Sequence, residues 1–139
     1  LFLGSFPKGG RRLIGVSYAA PVKVWLSSNP FSGPFFRSHI LPEIRRRYGV
    51  NPSHVVYLGG VAVHPDFQKR RIAGVHRGVR EEQFAARGFQ AAVFSTFEGS
   101  GTLAKLRDDP LWEILPSTES DSATGRRVIW AIKLLRPSP

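Results

Sequence analysis

The segment VAVHPDFQKRRIAGVHRGVREEQFAARG, Val61 to Gly88, changes from a strand pattern to a helix pattern within a few residues. Its first residues complete an apolar run, Val55–Val63, which is typical of a central strand buried on both faces. His64 and Pro65 end that run. From Ile72 onward apolar residues recur at helical spacing, and Gly88 suits the C-terminal stop. The segment therefore predicts a buried strand that leads directly into an amphipathic helix.

Three cations, Lys69, Arg70 and Arg71, lie in the turn between this strand and this helix. A helix N-terminus presents free N–H groups and a partial positive charge, so such a turn suits an anion. A solvated surface turn is the equally open alternative in a chain that is basic throughout. Neither a Walker A loop nor a dinucleotide-binding glycine motif is present in the sequence.

The composition limits the class of protein. A chain of 139 residues suits one domain with its own core, and no apolar run approaches the roughly 20 residues that span a bilayer. Cysteine is absent, which excludes disulfides, thiolate catalysis and cysteine-ligated zinc. We expect a cytoplasmic protein without a membrane partner or a metal. The net charge of +10 favours polyanions, namely nucleic acid, an anionic membrane surface or phosphorylated ligands.

The remaining chain predicts a series of short elements around the central segment. A hairpin over residues 1–18 precedes it. Gly59 with Gly60 suggests either a bulge in the central strand or a place where a ligand approaches the backbone closely. The expected elements, in order, are an extended piece at 22–26, a loop at 27–36, a helix at 38–48, a strand at 89–97, a helix at 100–106 with Ser100 as N-cap, a loop at 117–125 and a final strand at 127–135. A strand–helix–strand unit implies a parallel pair, so we predict an α/β (α+β) fold with a mixed sheet and helices on both faces.

The helix after the basic turn has a predicted buried face. Counting 100° per residue from Ile72 places the inward residues at Val75, His76, Val79, Gln83 and Ala86. The same count leaves Arg77, Arg80, Glu81 and Arg87 outside that face.

The stretch VAVHPDFQKRRIAGV resembles the acyl-CoA-binding motif of the GNAT superfamily of N-acyltransferases, roughly V-x-P-x-[FY]-[QR]-x-x-G-x-[GA]. Five residues match the pattern, namely Val63, Pro65, Phe67, Gln68 and Ala73. The order of hairpin, strand, helix, strand, helix and strand is similar as well. The resemblance implies a GNAT-like sheet with a V-shaped splay between its two parallel strands.

The resemblance also implies an activity. It implies an acyl-CoA-dependent N-acyltransferase, most simply an N-acetyltransferase, in which a small-molecule or peptide amine attacks acetyl-CoA directly. In the family the end of the central strand pairs with the pantetheine arm, which would be the role of Val61, Ala62 and Val63. The turn amides hold the pyrophosphate, which would be the role of Gln68, Lys69, Arg70, Arg71, Ile72, Ala73 and Gly74.

The sequence departs from the family pattern in several places. Arg71 stands where the first glycine of the turn is expected, and no tyrosine occurs near Leu106 and Arg107, where the family's acid lies. The strand and two helices that usually precede the hairpin are missing, and residues 22–53 form an insertion. We therefore expect one GNAT-like domain over residues 1–139, truncated at its N-terminus.

Two residues are candidates for the chemistry. Glu98, just after the second parallel strand, could serve as base, directly or through water, and Tyr57 on the central strand could serve as acid. The plainer interpretations are a solvated loop carboxylate and a core tyrosine. A homodimer is a further expectation. Two alternative functions stay open: a small basic nucleic-acid-binding domain, and a GNAT-like protein that binds CoA without catalysis.

Overall fold

A computed structural model describes residues 1–30, 32–121 and 123–136. Within them six strands form one mixed sheet in the order β1-β2-β3-β4-β6-β5. Only β3 and β4 pair in parallel, and the other neighbours are antiparallel. The strands are β1 (Phe2–Ser5), β2 (Gly15–Pro21), β3 (Val55–Val63), β4 (Ala91–Phe97), β5 (Glu113–Ser120) and β6 (Arg127–Leu134). The predicted hairpin, mixed sheet and parallel pair are confirmed.

Five α-helices accompany the sheet in the described residues. They are α1 (Val22–Ser27), α2 (Gly33–Phe35), α3 (Leu41–Tyr48), α4 (Ile72–Ala86) and α5 (Gly101–Arg107). A π-helical turn, Phe36–Ile40, joins α2 to α3, because Pro42 has no N–H to donate to the preceding turn. None of these helices combines the length and the apolar character needed to cross a bilayer.

Helices cover both faces of the sheet, as predicted. We name the two sides the α4 face and the α1 face. On the α4 face, α4 and α5 pack through Phe84 and Leu106 onto residues such as Leu58. On the α1 face, α1 to α3 contribute a core that contains Trp25, Phe36, Ile40, Ile44 and Trp130.

The parallel strands separate soon after they meet. Their register has three pairs, Val55 with Ala91, Val56 with Ala92 and Tyr57 with Val93. Beyond the last pair β3 continues to Val63 and β4 to Phe97 without pairing to each other. This divergence is the V-shaped splay that the resemblance implied.

A β-bulge lies just beyond the last parallel pair. In the β2–β3 register Ser17 faces Val61 and Ala19 faces Leu58. Tyr18 alone therefore lies opposite both Gly59 and Gly60, which confirms the bulge predicted from the two glycines. The bulge and the splay fall at the same level of β3.

The prediction for residues 22–36 is wrong in part. Residues 22–26 were expected to be extended, but they belong to α1, and part of the expected loop at 27–36 is helical. Val22 and Trp25, spaced i to i+3, are the buried residues of α1. The gain from packing them on the sheet outweighs the β-preference of the valines in this stretch.

The expected loop at 117–125 is also corrected. Its first part is the end of β5, an edge strand that pairs with β6. Pro116 and the polar residues after it resemble a loop sequence, yet an edge strand tolerates proline. The β5–β6 register shifts between Ile114 and Thr118, on either side of that proline.

The buried face of α4 differs from the predicted one. His76, Arg80, Phe84 and Ala85 are the buried residues of this helix. Val75, expected to be inside, is 62% exposed, whereas Arg80, expected to be outside, is 3% exposed. Compared with the prediction, α4 turns a more polar side toward the sheet. His76 and Arg80 can be buried there because groups of the strands beneath them form hydrogen bonds with both side chains.

Candidate functional site

A cleft of about 900 Å³ lies between the separating strands β3 and β4 and beside α4 and α5. Its lining residues come from the basic turn, the bulge, both strands and the two helices. They are Tyr57, Leu58, Gly59, Gly60, Val61, Val63, Phe67, Gln68, Lys69, Arg71, Ile72, Ala73, Gly74, Val75, Arg77, Arg80, Phe94, Ser95, Thr96, Thr102 and Lys105. The cleft therefore extends from the N-terminus of α4 to the point where the strands diverge.

The turn at the mouth of the cleft has a defined backbone. Gln68 donates from Nε2 to the carbonyl oxygen of Val63 over 3.3 Å, which ties the turn to the strand end. Lys69 and Arg71 both have φ of 62°, in the left-handed region that favours glycine. Arg71 is the N-cap of α4 and makes no side-chain capping bond. The amides of the first turn of α4 therefore keep their capacity to bind an anion.

The three cations of the turn are placed differently. Lys69 and Arg71 line the cleft. The guanidinium of Arg70 instead lies over the ring of Phe67, 5.0 Å from its centroid, and is not among the lining residues. Two of the three cations thus face the site, and the third covers an aromatic ring.

The cleft is strongly positive. The lining residues include five cations, Lys69, Arg71, Arg77, Arg80 and Lys105, and no carboxylate among the described residues. Within those residues no three histidine, aspartate or glutamate side chains come together in a way that could hold a metal ion. The arrangement suits an elongated ligand with several phosphate charges.

Tyr57 and Ser95 lie where the strands diverge. Both line the cleft, and their hydroxyl oxygens are 3.5 Å apart. The ring of Tyr57 stacks on Trp25 with centroids 4.3 Å apart, which fixes it on the α1 face. Burial raises the pKa of Tyr57 above its ordinary value of 10.0. Its hydroxyl is therefore protonated at neutral pH and able to donate.

Most residues predicted to bind the cofactor line this cleft. They are Val61, Val63, Gln68, Lys69, Arg71, Ile72, Ala73 and Gly74. Ala62 instead lines a second, shallower cavity of about 300 Å³. Glu98 is not a lining residue: its side chain is 51% exposed and approaches Arg127 Nη1 at 3.6 Å.

Several residues that line the cleft were not predicted from the sequence. Phe94, Ser95 and Thr96 follow from the splay, and Thr102 and Lys105 lie on one side of α5 at i to i+3 spacing. Arg80 was predicted to lie outside the buried face. Its i to i+4 spacing from His76 was the available signal, because the two residues together form a polar stripe.

His76 lies in a buried polar network beneath the hairpin. Its Nε2 is 2.6 Å from Ser5 Oγ and its Nδ1 is 2.8 Å from Ser17 Oγ. The residue is 3% exposed. Burial, with a smaller contribution from Arg80, lowers the pKa of His76 below 6.5. A neutral imidazole bonded to two hydroxyls is a structural arrangement, and His76 lies on the inward face predicted for it.

Known proteins resemble this chain in structure but not detectably in sequence. No family model matches it, and no curated protein matches it significantly. The ribosomal-protein-S18-alanine N-acetyltransferase of Escherichia coli aligns with a TM-score of 0.61 at 10% identity, over 100% of this chain and 71% of that one. A mosquito arylalkylamine N-acetyltransferase, like 5b, aligns with a TM-score of 0.70 at 14% identity, over 96% and 74%.

A third solved structure, the ribosomal-protein-alanine N-acetyltransferase of Brucella melitensis, aligns with a TM-score of 0.61 at 16% identity, over 96% of this chain and 68% of that one. The chain has the fold of the GNAT N-acetyltransferases. At these identities the likeness concerns the fold alone. The GNAT fold accounts for the separated strands and for the position of the basic turn at the start of α4.

Proposed function

We propose that this GNAT-fold protein is an acyl-CoA-dependent N-acyltransferase, most simply an N-acetyltransferase that uses acetyl-CoA. The observation that supports it is the cleft between β3 and β4, with the uncapped N-terminus of α4 at its mouth and five cations along its walls. The amine attacks the thioester carbon directly, so the chemistry needs neither a cysteine nor a metal. The proposal retains the cytoplasmic location and the homodimer predicted from the sequence.

The turn would hold the phosphates of CoA. The amides of Ile72, Ala73 and Gly74 supply hydrogen-bond donors, and Lys69 and Arg71 supply charge. Val61 and Val63 lie along the cleft where the pantetheine arm would run. Tyr57, at the divergence of the strands, is the proposed acid. Glu98, which lies outside the cleft lining, would act as base only through water.

The amine would approach from the α1 face. The second cavity lies on that side of the hairpin and shares Gly60 and Val61 with the cleft. Its other lining residues are Phe2, Val16, Ser17, Tyr18 and Ala62, with no carboxylate among the described residues. This surface supports an acceptor with an apolar group rather than a polyamine, which would need negative charges.

Binding of acetyl-CoA tests the proposal first. A ligand that binds only the folded state raises the melting temperature, so about 1 mM acetyl-CoA should produce a clear shift. Arg71→Ser should weaken binding about tenfold, the loss expected for one charge-assisted hydrogen bond. Arg70→Ser removes the same charge from a residue outside the cleft and should bind nearly as wild type. Equal weakening by both variants would argue for nonspecific attraction to a basic surface.

Turnover tests the second half of the proposal. Release of free CoA thiol should be measured with aromatic monoamines, aliphatic polyamines and peptide amines, and the monoamines should be the better substrates. Binding without turnover on any amine would leave the CoA-binding, non-catalytic alternative. Strongly salt-dependent binding of an oligonucleotide without a response to acetyl-CoA would favour the nucleic-acid alternative.

A further inference from the structure

Arg80 is a buried cation without a carboxylate partner. It is 3% exposed and forms no salt bridge with any described residue. Burial lowers its pKa, yet an arginine remains protonated in a protein. Holding an unpaired charge in the interior is costly, so such residues persist where the charge has a use.

The hydrogen bonds of Arg80 fix it at the bulge of β3. Nη1 donates to the carbonyl oxygens of Tyr18 and Gly59, each over 2.7 Å, and Nε donates to the carbonyl oxygen of His76 over 3.3 Å. Tyr18 and Gly59 have no partner in the β2–β3 register. Arg80 therefore satisfies the two carbonyls that the bulge removes from the ladder, and its head group is held in one place.

That place is the deep end of the cleft. Arg80 lines the cleft, and its Nη2 makes no hydrogen bond with the described residues. It lies eight residues beyond Ile72 on α4, which is about 12 Å along the helix from the anion-binding turn. Burial, the larger effect, raises the pKa of Tyr57, and the positive charge of Arg80 lowers it. The anion-binding turn and Arg80 therefore lie at separate positions along the same cleft.

We propose that Arg80 supplies the positive charge that stabilises the CoA thiolate as it leaves. This inference rests on the proposed function. In the transfer step the amine nitrogen forms a bond to the acyl carbon, the carbon–sulfur bond breaks, and its electron pair goes to sulfur, which carries the negative charge until the proposed acid, Tyr57, protonates it. The amine loses one proton to a base or to water. The guanidinium keeps its protons throughout and lowers the energy of the anionic sulfur by its charge, held in advance by Tyr18 and Gly59.

The pKa of the CoA thiol in the complex tests this inference. It is measured from the ultraviolet absorbance of the thiolate as pH is raised. We expect the thiol of bound CoA to ionise at least one pH unit below free CoA, a tenfold stabilisation of the thiolate, in wild type. Arg80→Met, which keeps length and removes charge, should lose most of that shift. Arg87→Met, an exposed arginine at the end of the same helix, should keep it.

A second measurement needs no variant and covers the case in which Arg80→Met does not fold. Desulfo-CoA lacks the thiol and is otherwise matched to CoA. The ratio of affinities, CoA over desulfo-CoA, should increase with pH for wild type between pH 7 and pH 9, by up to about tenfold for a thiol pKa lowered by one unit. A ratio that does not change with pH, or an unchanged thiol pKa in Arg80→Met that still binds CoA, would overturn the inference. Failure of wild type to bind either ligand would instead overturn the proposed function.

Discussion

The ring of Tyr18 covers Gly59 so closely that a Cβ at residue 59 would lie 2.1 Å from Tyr18 Cζ. The contact occurs at the bulge, where Tyr18 is the single residue of β2 opposite two residues of β3. Tyr18 in turn lies 6.4 Å from Tyr57, centroid to centroid. The glycine thus permits a ring to pack over the backbone at the level where the cleft opens.

Replacement of Gly59 by alanine should destabilise the protein by about 2–3 kcal/mol, the cost of overpacking a site that cannot relax freely. Urea unfolding followed by circular dichroism measures the loss. Gly60→Ala is the matched control, because a Cβ there meets nothing within 4 Å. Similar losses in the two variants would show that the effect comes from glycine itself rather than from the ring of Tyr18.

Arg71→Gly should stabilise the apo protein by about 0.5–1 kcal/mol. The left-handed conformation of Arg71 costs an L-residue roughly 1–2 kcal/mol, and glycine removes that cost. The greater freedom of glycine in the unfolded chain offsets part of this stabilisation. Arg70→Gly, at a residue without positive φ, should lower stability instead. Thermal and urea unfolding of both variants decide the point, and a less stable Arg71→Gly protein contradicts it.

Stability should fall as the pH drops below about 6.5 because of His76. Its pKa is lowered in the folded state, so the fold favours the neutral ring, and this contribution is complete above the unfolded pKa. Below that pH the unfolded state takes up the proton first, and stability decreases by at most about 1.4 kcal/mol per pH unit. Urea unfolding at pH 7.5 and pH 5.5 should show a smaller difference for His76→Asn than for wild type. His54→Asn, at an exposed position, should resemble wild type.

Tyr57→Phe should reduce kcat about a hundredfold or more if the hydroxyl protonates the leaving thiolate. Stability should change little, because the ring keeps its stack on Trp25, and among the described residues the hydroxyl makes only the long hydrogen bond to Ser95. Glu98→Gln should have a smaller effect, since this carboxylate lies outside the cleft lining. A larger loss in Glu98→Gln than in Tyr57→Phe would reverse the two assignments.

The central part of the fold was predictable because local and tertiary preferences agree there. Val55–Val63 is apolar enough for a strand with both faces covered, and it is β3 with the same bounds. Ser100 was predicted as the N-cap of α5, and its hydroxyl accepts a hydrogen bond from the amide of Leu103. Gly88 follows α4 with φ of 85°. In each case one residue type meets a local backbone requirement.

Predictions failed where distant contacts determine the local structure. Val24 and Trp25 suit a strand, but packing of Trp25 on Tyr57 requires a helix. The sector counted from Ile72 places Arg80 outside the buried face of the helix. Only the bulge, which lies far away in sequence, provides the two carbonyls that bring it inside. The deep end of the cleft was therefore not visible in the sequence, whereas its mouth was.

Residues 22–54 leave the sheet after β2 and return to it as β3, so that Pro21 and Val56 are paired neighbours. In a simple hairpin this pairing would be local and quick to form. Here it closes a long loop that also supplies Trp25, Phe36 and Ile40 to the core. Loop closure costs chain entropy before the contacts compensate for it, which slows folding. We therefore expect formation of the β2–β3 ladder to limit the refolding rate, with α1 to α3 packing as the loop closes.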